Sequence, residues 1–213
     1  MLSTTAKYKT KSPALYYLYN MGVRKKVPYN NSIYFFTFTC ARWLPLFKIC
    51  NAYNVVYNWF DILKAGGHYI IGYVIMPHHV HAIIAFKNSP QPINTIIGNG
   101  KRFMAYEVVQ ILRSKNKNLL LGEMQAMVNS IDSKRNKIHK VFEPSFDWKE
   151  CRAEAFIQQK LQYMHLNPCQ CMPRLAAVPE EYIHSSAKFY ITGEQGIYTV
   201  TSYMELQDID LTR

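Results

Sequence analysis

The sequence predicts an α+β domain built on an antiparallel sheet, and three observations carry that prediction. Short β-branched and aromatic runs, one near residue 35 and two flanking Met76-Pro77, read as strands. Segments whose apolar residues recur at three- and four-residue spacing lie between and after them. The two runs around Met76-Pro77 are joined too tightly for a parallel crossover, so they form a hairpin.

Taken in order, residues 1–30 are rich in Lys, Tyr and Asn without a period and read as a basic N-terminal arm. Ile33 to Thr39 is a strand, broken by Trp43-Leu44-Pro45-Leu46-Phe47. Asn51 to Ala65 is a helix with Val55, Val56, Trp59, Ile62 and Leu63 on its apolar side, stopped by Gly66-Gly67. His68 to Ile75 and His79 to Phe86 are the central hairpin. Ile93 to Arg113 is a second helix offering Ile96, Ile97, Phe103, Val108 and Ile111 to the core, with Gly98 and Gly100 weakening its start. Residues 114–140 are polar and basic and read as an excursion. Ala153 to Leu166 is a third helix, stopped by Asn167-Pro168, and Gly196 to Ser202 is a candidate last strand. This order, strand, helix, hairpin, helix, helix, fits a ferredoxin-like or RRM-like sheet with helices on one face.

The 213 residues suit one domain, spanning 31–193 with the excursion inside it and an acidic tail, 194–213, behind it. Hydrophobic residues at 49% argue against disorder, and no apolar run is long enough for a bilayer. A polar N-terminus without a secretory pattern, and five cysteines without scaffold density, predict free thiols and a cytoplasmic location. The formal charge of +11 favours a polyanionic partner, with nucleic acid first among them. No acidic residue precedes Asp61, whereas Arg24, Lys25 and Lys26 sit in the arm and Lys101, Arg102 and Arg113 in the second helix; these six are the phosphate-contact candidates.

The chemistry concentrates in two short segments. His79 and His81 are two apart on a strand and so share a face, close enough for two imidazoles to meet one divalent ion. An isolated His-x-His is more often one buried, hydrogen-bonded imidazole beside an incidental one than a metal site, so a third ligand is required. Tyr163 and Asn167, four apart, share a helical face and offer a phenol and an amide oxygen. Two nitrogens and an amide oxygen suit Mg2+ or Mn2+ and leave positions for phosphate and water.

Met76-Pro77-His78-His79-Val80-His81 resembles the His-hydrophobic-His ("HUH") motif of single-tyrosine transposases, and Tyr163-Met164-His165-Leu166-Asn167-Pro168 resembles the Tyr-Ile-x-x-Asn-Pro segment of their REP-associated branch. The likeness extends through Tyr34 to Thr39, Trp43 to Phe47 and Pro179 to Ala187, covering roughly residues 33–193. It implies that His79, His81 and Asn167 bind the ion and that Tyr163 is the nucleophile of a DNA nicking and strand-transfer enzyme working through a 5′-phosphotyrosine link. It further implies single-stranded DNA with hairpin ends as the partner, no membrane, and homodimers in some relatives with monomers in others. His78 stands where the family often has Asn, and the excursion has no counterpart in compact members. Two other functions fit the residues: a non-catalytic RRM-like nucleic-acid-binding protein in which Tyr163 only packs, and a metal-dependent phosphodiesterase that uses water.

Overall fold

The computed structural model describes residues 26–134 and 136–212; Arg24, Lys25 and most of the basic arm lie outside the described residues. Four strands, β1 (Ile33–Thr39), β2 (Tyr69–Ile75), β3 (His79–Ala85) and β4 (Asp147–Glu150), form one sheet in the order β2-β3-β1-β4. All three pairings are antiparallel. The helices are α1 (Leu46–Cys50), α2 (Asn54–Ala65), α3 (Ile93–Ser114), α4 (Asn118–Ala126), α5 (Ser130–Ser133), α6 (Glu154–Gln170) and α7 (Ala187–Thr192). The β1-α2-β2 and β3-α3-β4 units are the two crossovers expected of a ferredoxin-like sheet.

Alternation along the strands divides the interior in two. Phe36, Phe38, Val80, Ala82 and Ile84 point to the side covered by α2 and α3. Phe35, Val74, Ile83 and Ala85 point to the other, where Ile157, Leu161 and Met164 of α6 pack on them. The expectation of helices on one face is therefore corrected: α6 covers the second face, because the central strands are apolar on both sides.

Several local expectations change for identifiable reasons. Helix α2 starts at Asn54 rather than Asn51, since Asn51 takes a left-handed φ of 51° and ends α1. Ile62 is exposed, and Phe60 takes the core place expected of it. In α3, Phe103 faces solvent while Met104 and Leu112 are buried. The excursion carries α4 and α5, with Leu121 and Met124 of α4 entering the core. Helix α6 continues through Pro168 to Gln170; a proline in the last turn removes only one helical hydrogen bond. Residues 196–202 form no strand, although Thr201 N–H donates to the Ile70 carbonyl at 2.9 Å and Val200 and Leu206 are buried, so the acidic C-terminal stretch packs onto the body. Val27, just past the undescribed arm, is buried too, its N–H donating to Asn94 Oδ1 at 2.7 Å.

His165 fastens α6 to the segment before α7. Its buried ring shares a 2.9 Å hydrogen bond between Nε2 and Ser186 Oγ, and that hydroxyl also accepts from the Tyr73 N–H. Burial pushes the His165 pKa down to about 4, and His184 is lowered to about 4 by the same cause. Both folded values lie below the unfolded value of about 6.5, so the unfolded chain binds more protons between them. Stability is therefore full above about pH 6.5 and falls as the pH drops toward 4, by up to about 1.4 kcal/mol per pH unit for His165 alone. Thermal melts across that range are expected to show the decline, and His165→Asn, which does not titrate, is expected to reduce its slope by the share due to His165, leaving the part due to His184 and the other buried histidines.

Candidate active site

Strand register determines where the two histidines point. Thr39 lies opposite His79, Thr37 opposite His81 and Phe35 opposite Ile83. Opposed residues share a face, so both imidazoles project to the side covered by α6. Their ring centroids are 4.6 Å apart at 71°, and the residues are 6% and 4% exposed.

Burial keeps both rings neutral. It pushes His81 down to about 3, with the Lys160 ammonium adding to the depression, and it pushes His79 well down, helped by His81 and His78. Thr37 Oγ1 lies 2.7 Å from His81 Nδ1 and fixes that ring. The buried His79 Nδ1 has no hydrogen-bond partner among the described residues.

Helix α6 comes closest to this face at Gly72, beside the register shift between β2 and β3. A Cβ there would sit 2.5 Å from Leu161 Cδ2 and 2.6 Å from Met164 Cε, so a side chain would push the helix's packing atoms aside. With Leu161, Met164, His165 and Pro168 turned inward, Lys160, Tyr163 and Asn167 run along the edge that overlooks the histidines. The Tyr163 ring is 5.4 Å from His81 and 6.1 Å from Phe35, yet the residue is half exposed. Asn167 Nδ2 donates to the Tyr163 carbonyl at 2.8 Å, which leaves its oxygen for the pocket. That side chain raises the proton affinity of both imidazoles, so it acts on the two together. The structure thus gathers His79, His81, Tyr163 and Asn167 in one place.

Two neighbours were not among the site residues expected from the sequence. Lys160 Nζ stands 5.2 Å from the Phe35 ring, 5.1 Å from Phe156 and 5.6 Å from Tyr163, placing a cation at the pocket mouth; its spacing of three from Tyr163 was the available signal. At the other end the Trp43 ring lies 4.7 Å from His78 and 5.6 Å from His79.

The basic candidates do not join this group. Lys101 is buried, with Nζ donating to the carbonyls of Glu143 at 2.7 Å and Ser145 at 2.9 Å; it is a structural cation, and its assignment as a phosphate contact is corrected. Arg102 and Arg113 are exposed on α3, on the opposite side of the sheet, where they line a cavity of about 680 Å³ with Tyr106, Lys137 and His139. Lys26 is exposed. Among the described residues no three His, Cys, Asp or Glu side chains cluster as a metal site, so any site here depends on the Asn167 amide.

No family model and no curated protein matches the chain. Among solved structures it superimposes on a REP-associated tyrosine transposase bound to a REP hairpin, with a TM-score of 0.54 and 12% identity over 85% of this chain and 93% of that one. The fold is that of a tyrosine transposase. A Deinococcus radiodurans R1 protein assigned as a transposase overlaps at TM-score 0.37 and 15% identity, over 67% of this chain and 95% of that one. On the face of the sheet under α6, the buried His79 and His81 rings lie between two half-exposed aromatic rings, Trp43 beside His79 and Tyr163 beside His81. Among the described residues no helix is long and apolar enough to cross a membrane.

Proposed function

We propose that this chain is a metal-dependent enzyme that nicks single-stranded DNA and transfers the strand, with Tyr163 as nucleophile. The observation that carries this reading is the position of a half-exposed phenol against a buried imidazole pair, with the Asn167 amide one turn further along the same helix. A tyrosine serving only as packing has no need of that company.

The residues fit a divalent ion. Neutral imidazoles are the ligand-competent form. The Thr37 bond leaves His81 Nε2 available, the orphaned Nδ1 marks His79 as a buried ring with an uncommitted nitrogen, and an amide oxygen completes an N, N, O set suited to Mg2+ or Mn2+. Bound by His79, His81 and Asn167, such an ion would supply the positive charge that polarises a scissile phosphodiester. Tyr163 then supplies the nucleophile: its oxygen forms a bond to phosphorus, the bond from phosphorus to the 3′-oxygen breaks, the phenol proton leaves to solvent and the 3′-oxygen takes one up. The resulting 5′-phosphotyrosine keeps the ester energy, so a 3′-hydroxyl can later attack it and rejoin a strand. Lys160 adds a positive charge on the same side as Tyr163, where phosphate oxygens would lie. A single-stranded substrate with hairpin ends suits a site whose accessible groups are the half-exposed Tyr163 and Trp43 rings, and the likeness to a hairpin-bound transposase supports that choice.

The test is to incubate labelled hairpin-bearing single-stranded DNA with the protein and Mn2+ or Mg2+. A slow-migrating species that survives SDS, disappears on protease treatment and fails to form in EDTA is expected. Free 5′-phosphate ends without an adduct would replace this reading by a water-using phosphodiesterase, and binding without cleavage would replace it by an RRM-like binding domain. A further expected outcome concerns Thr37→Val, which removes the hydroxyl that orients His81. Mn2+ affinity, measured calorimetrically on the protein alone, should fall by about 10- to 100-fold while the melting temperature changes little.

A further inference from the structure

Arg42 and Trp43 are consecutive non-glycine residues in the left-handed region, with φ of 50° and 58°. Each such residue costs roughly 1 kcal/mol or more, and for a bulky aromatic the conformation is an outlier that the surroundings must enforce. Here they do. Arg42 N–H donates to Glu143 Oε1 at 3.0 Å, Trp43 N–H to the Cys40 carbonyl at 3.1 Å, and Ala41 N–H to the Val141 carbonyl at 2.8 Å. The outcome of this bracing is not a buried indole. Trp43 is 45% exposed, whereas Trp59 is buried in the core and Trp148 is partly buried.

The ring stands at the His79 end of the pocket. Passing through it, the order is Trp43, His79, His81, Tyr163, with successive centroid separations of 5.6, 4.6 and 5.4 Å. The nucleophile and the indole therefore occupy opposite ends. In-line displacement at phosphorus requires the leaving oxygen to depart on the side away from the attacking one. With Tyr163 attacking from the His81 end, the departing 3′-oxygen and the nucleoside that carries it lie toward Trp43.

We propose that Trp43 is a stacking shelf for the base of the nucleotide on the 5′ side of the scissile phosphate, the nucleotide whose 3′-oxygen leaves. The inference rests on the reading of the pocket as a DNA-cleaving site. A flat indole takes any base by its π-face, so the shelf positions that nucleotide without selecting its sequence. It also holds the freed 3′-hydroxyl beside the phosphotyrosine for the rejoining step. A backbone strained to hold a half-exposed aromatic next to two imidazoles is accounted for by this role.

The experiment is a coupling measurement using a fluorescent DNA hairpin whose single-stranded flank carries one abasic residue stepped along its length. With the unaltered protein, one abasic position is expected to weaken binding by about tenfold, the loss of one base–aromatic stack. Trp43→Gly, which relieves the left-handed strain, is expected to bind the intact hairpin about tenfold more weakly and to be indifferent to that abasic position, with no fall in melting temperature beyond what Trp43→Phe shows. Trp43→Phe should restore most of the binding. Quenching of tryptophan fluorescence on DNA addition should be present in the unaltered protein and largely absent in Trp43→Phe. The proposal is overturned if Trp43→Gly binds as the unaltered protein does, or if its sensitivity to the abasic position persists. Because binding is read separately from cleavage, an adduct without coupling overturns the shelf alone, whereas coupling without an adduct leaves Trp43 as a base-stacking surface but overturns the nicking reaction and, with it, the assignment to the 5′ side of a scissile phosphate.

Discussion

Tyr163→Phe is expected to eliminate the SDS-resistant protein–DNA adduct, on the order of a 10⁴-fold loss or more in cleavage rate, as when a covalent nucleophile is removed from its site. The change deletes one oxygen and keeps the ring, and the ring is what touches His81 and Phe35. Half the residue is exposed and the ring contacts are kept, so the melting temperature should stay within about 1 °C. Mn2+ binding should also survive, because the ligand nitrogens and the Asn167 amide are untouched. That combination separates a nucleophile from a packing tyrosine. Were the adduct to form at an undiminished rate with phenylalanine in place, another residue would have to be the nucleophile.

Gly100→Ala is expected to give the largest stability loss of any single methyl addition in the described structure, about 3 kcal/mol, lowering the melting temperature by roughly 6 to 12 °C. Helix propensity alone argues the reverse, since alanine in place of glycine in a helix interior gains up to about 1 kcal/mol. The packing decides. A Cβ on Gly100 would overlap the Trp59 indole, with Trp59 Cε2 at 2.6 Å and Cδ1 at 2.7 Å, and the rigid ring is held between Phe38 and Phe60. Two helices, α2 and α3, would have to separate. Gly98, two residues earlier in the same helix, supplies the control: a Cβ there meets nothing within 4 Å, so Gly98→Ala should raise stability by about 0.5 to 1 kcal/mol. Chemical denaturation of the two variants in parallel tests the contrast, and a stabilised Gly100→Ala would refute the packing argument.

These glycines illustrate what the sequence could and could not convey. As residues in a helical run, Gly98 and Gly100 look alike and both only weaken the start of α3; which one receives an indole depends on a helix forty residues away. The strands β1 to β3 were legible because β-branched and aromatic runs with a tight connection have few alternative readings. Strand β4, Asp-Trp-Lys-Glu, was not: it is four residues long, at the sheet edge, and mostly charged, and only its pairing to β1 defines it. The second helical layer was missed for a related reason. Both faces of β3 are apolar, as the sequence makes plain, but nothing local says which helix covers each.

The site was legible as four residues, since period two put His79 and His81 on one face and period 3.6 put Tyr163 and Asn167 on another. Their meeting is a long-range fact, marked by the close approach of α6 at Gly72 and by the bond from His165 to Ser186. Thr37 became identifiable only once register set it opposite His81. Counting charges failed at Lys101 because a lysine in a basic run gives no sign that three backbone carbonyls await it.

That lysine has companions. Lys115 Nζ reaches the Cys50 carbonyl at 2.7 Å and Lys64 Nζ the Thr199 carbonyl at 2.7 Å, so both tie distant parts of the main chain together in the same manner. Ammonium groups spent as rivets give up few counterions when a nucleic acid docks. The ionic-strength dependence of any such docking should therefore be shallower than a tally of lysines and arginines suggests, and blanket acylation of the amines would loosen the scaffold as well as neutralise its surface.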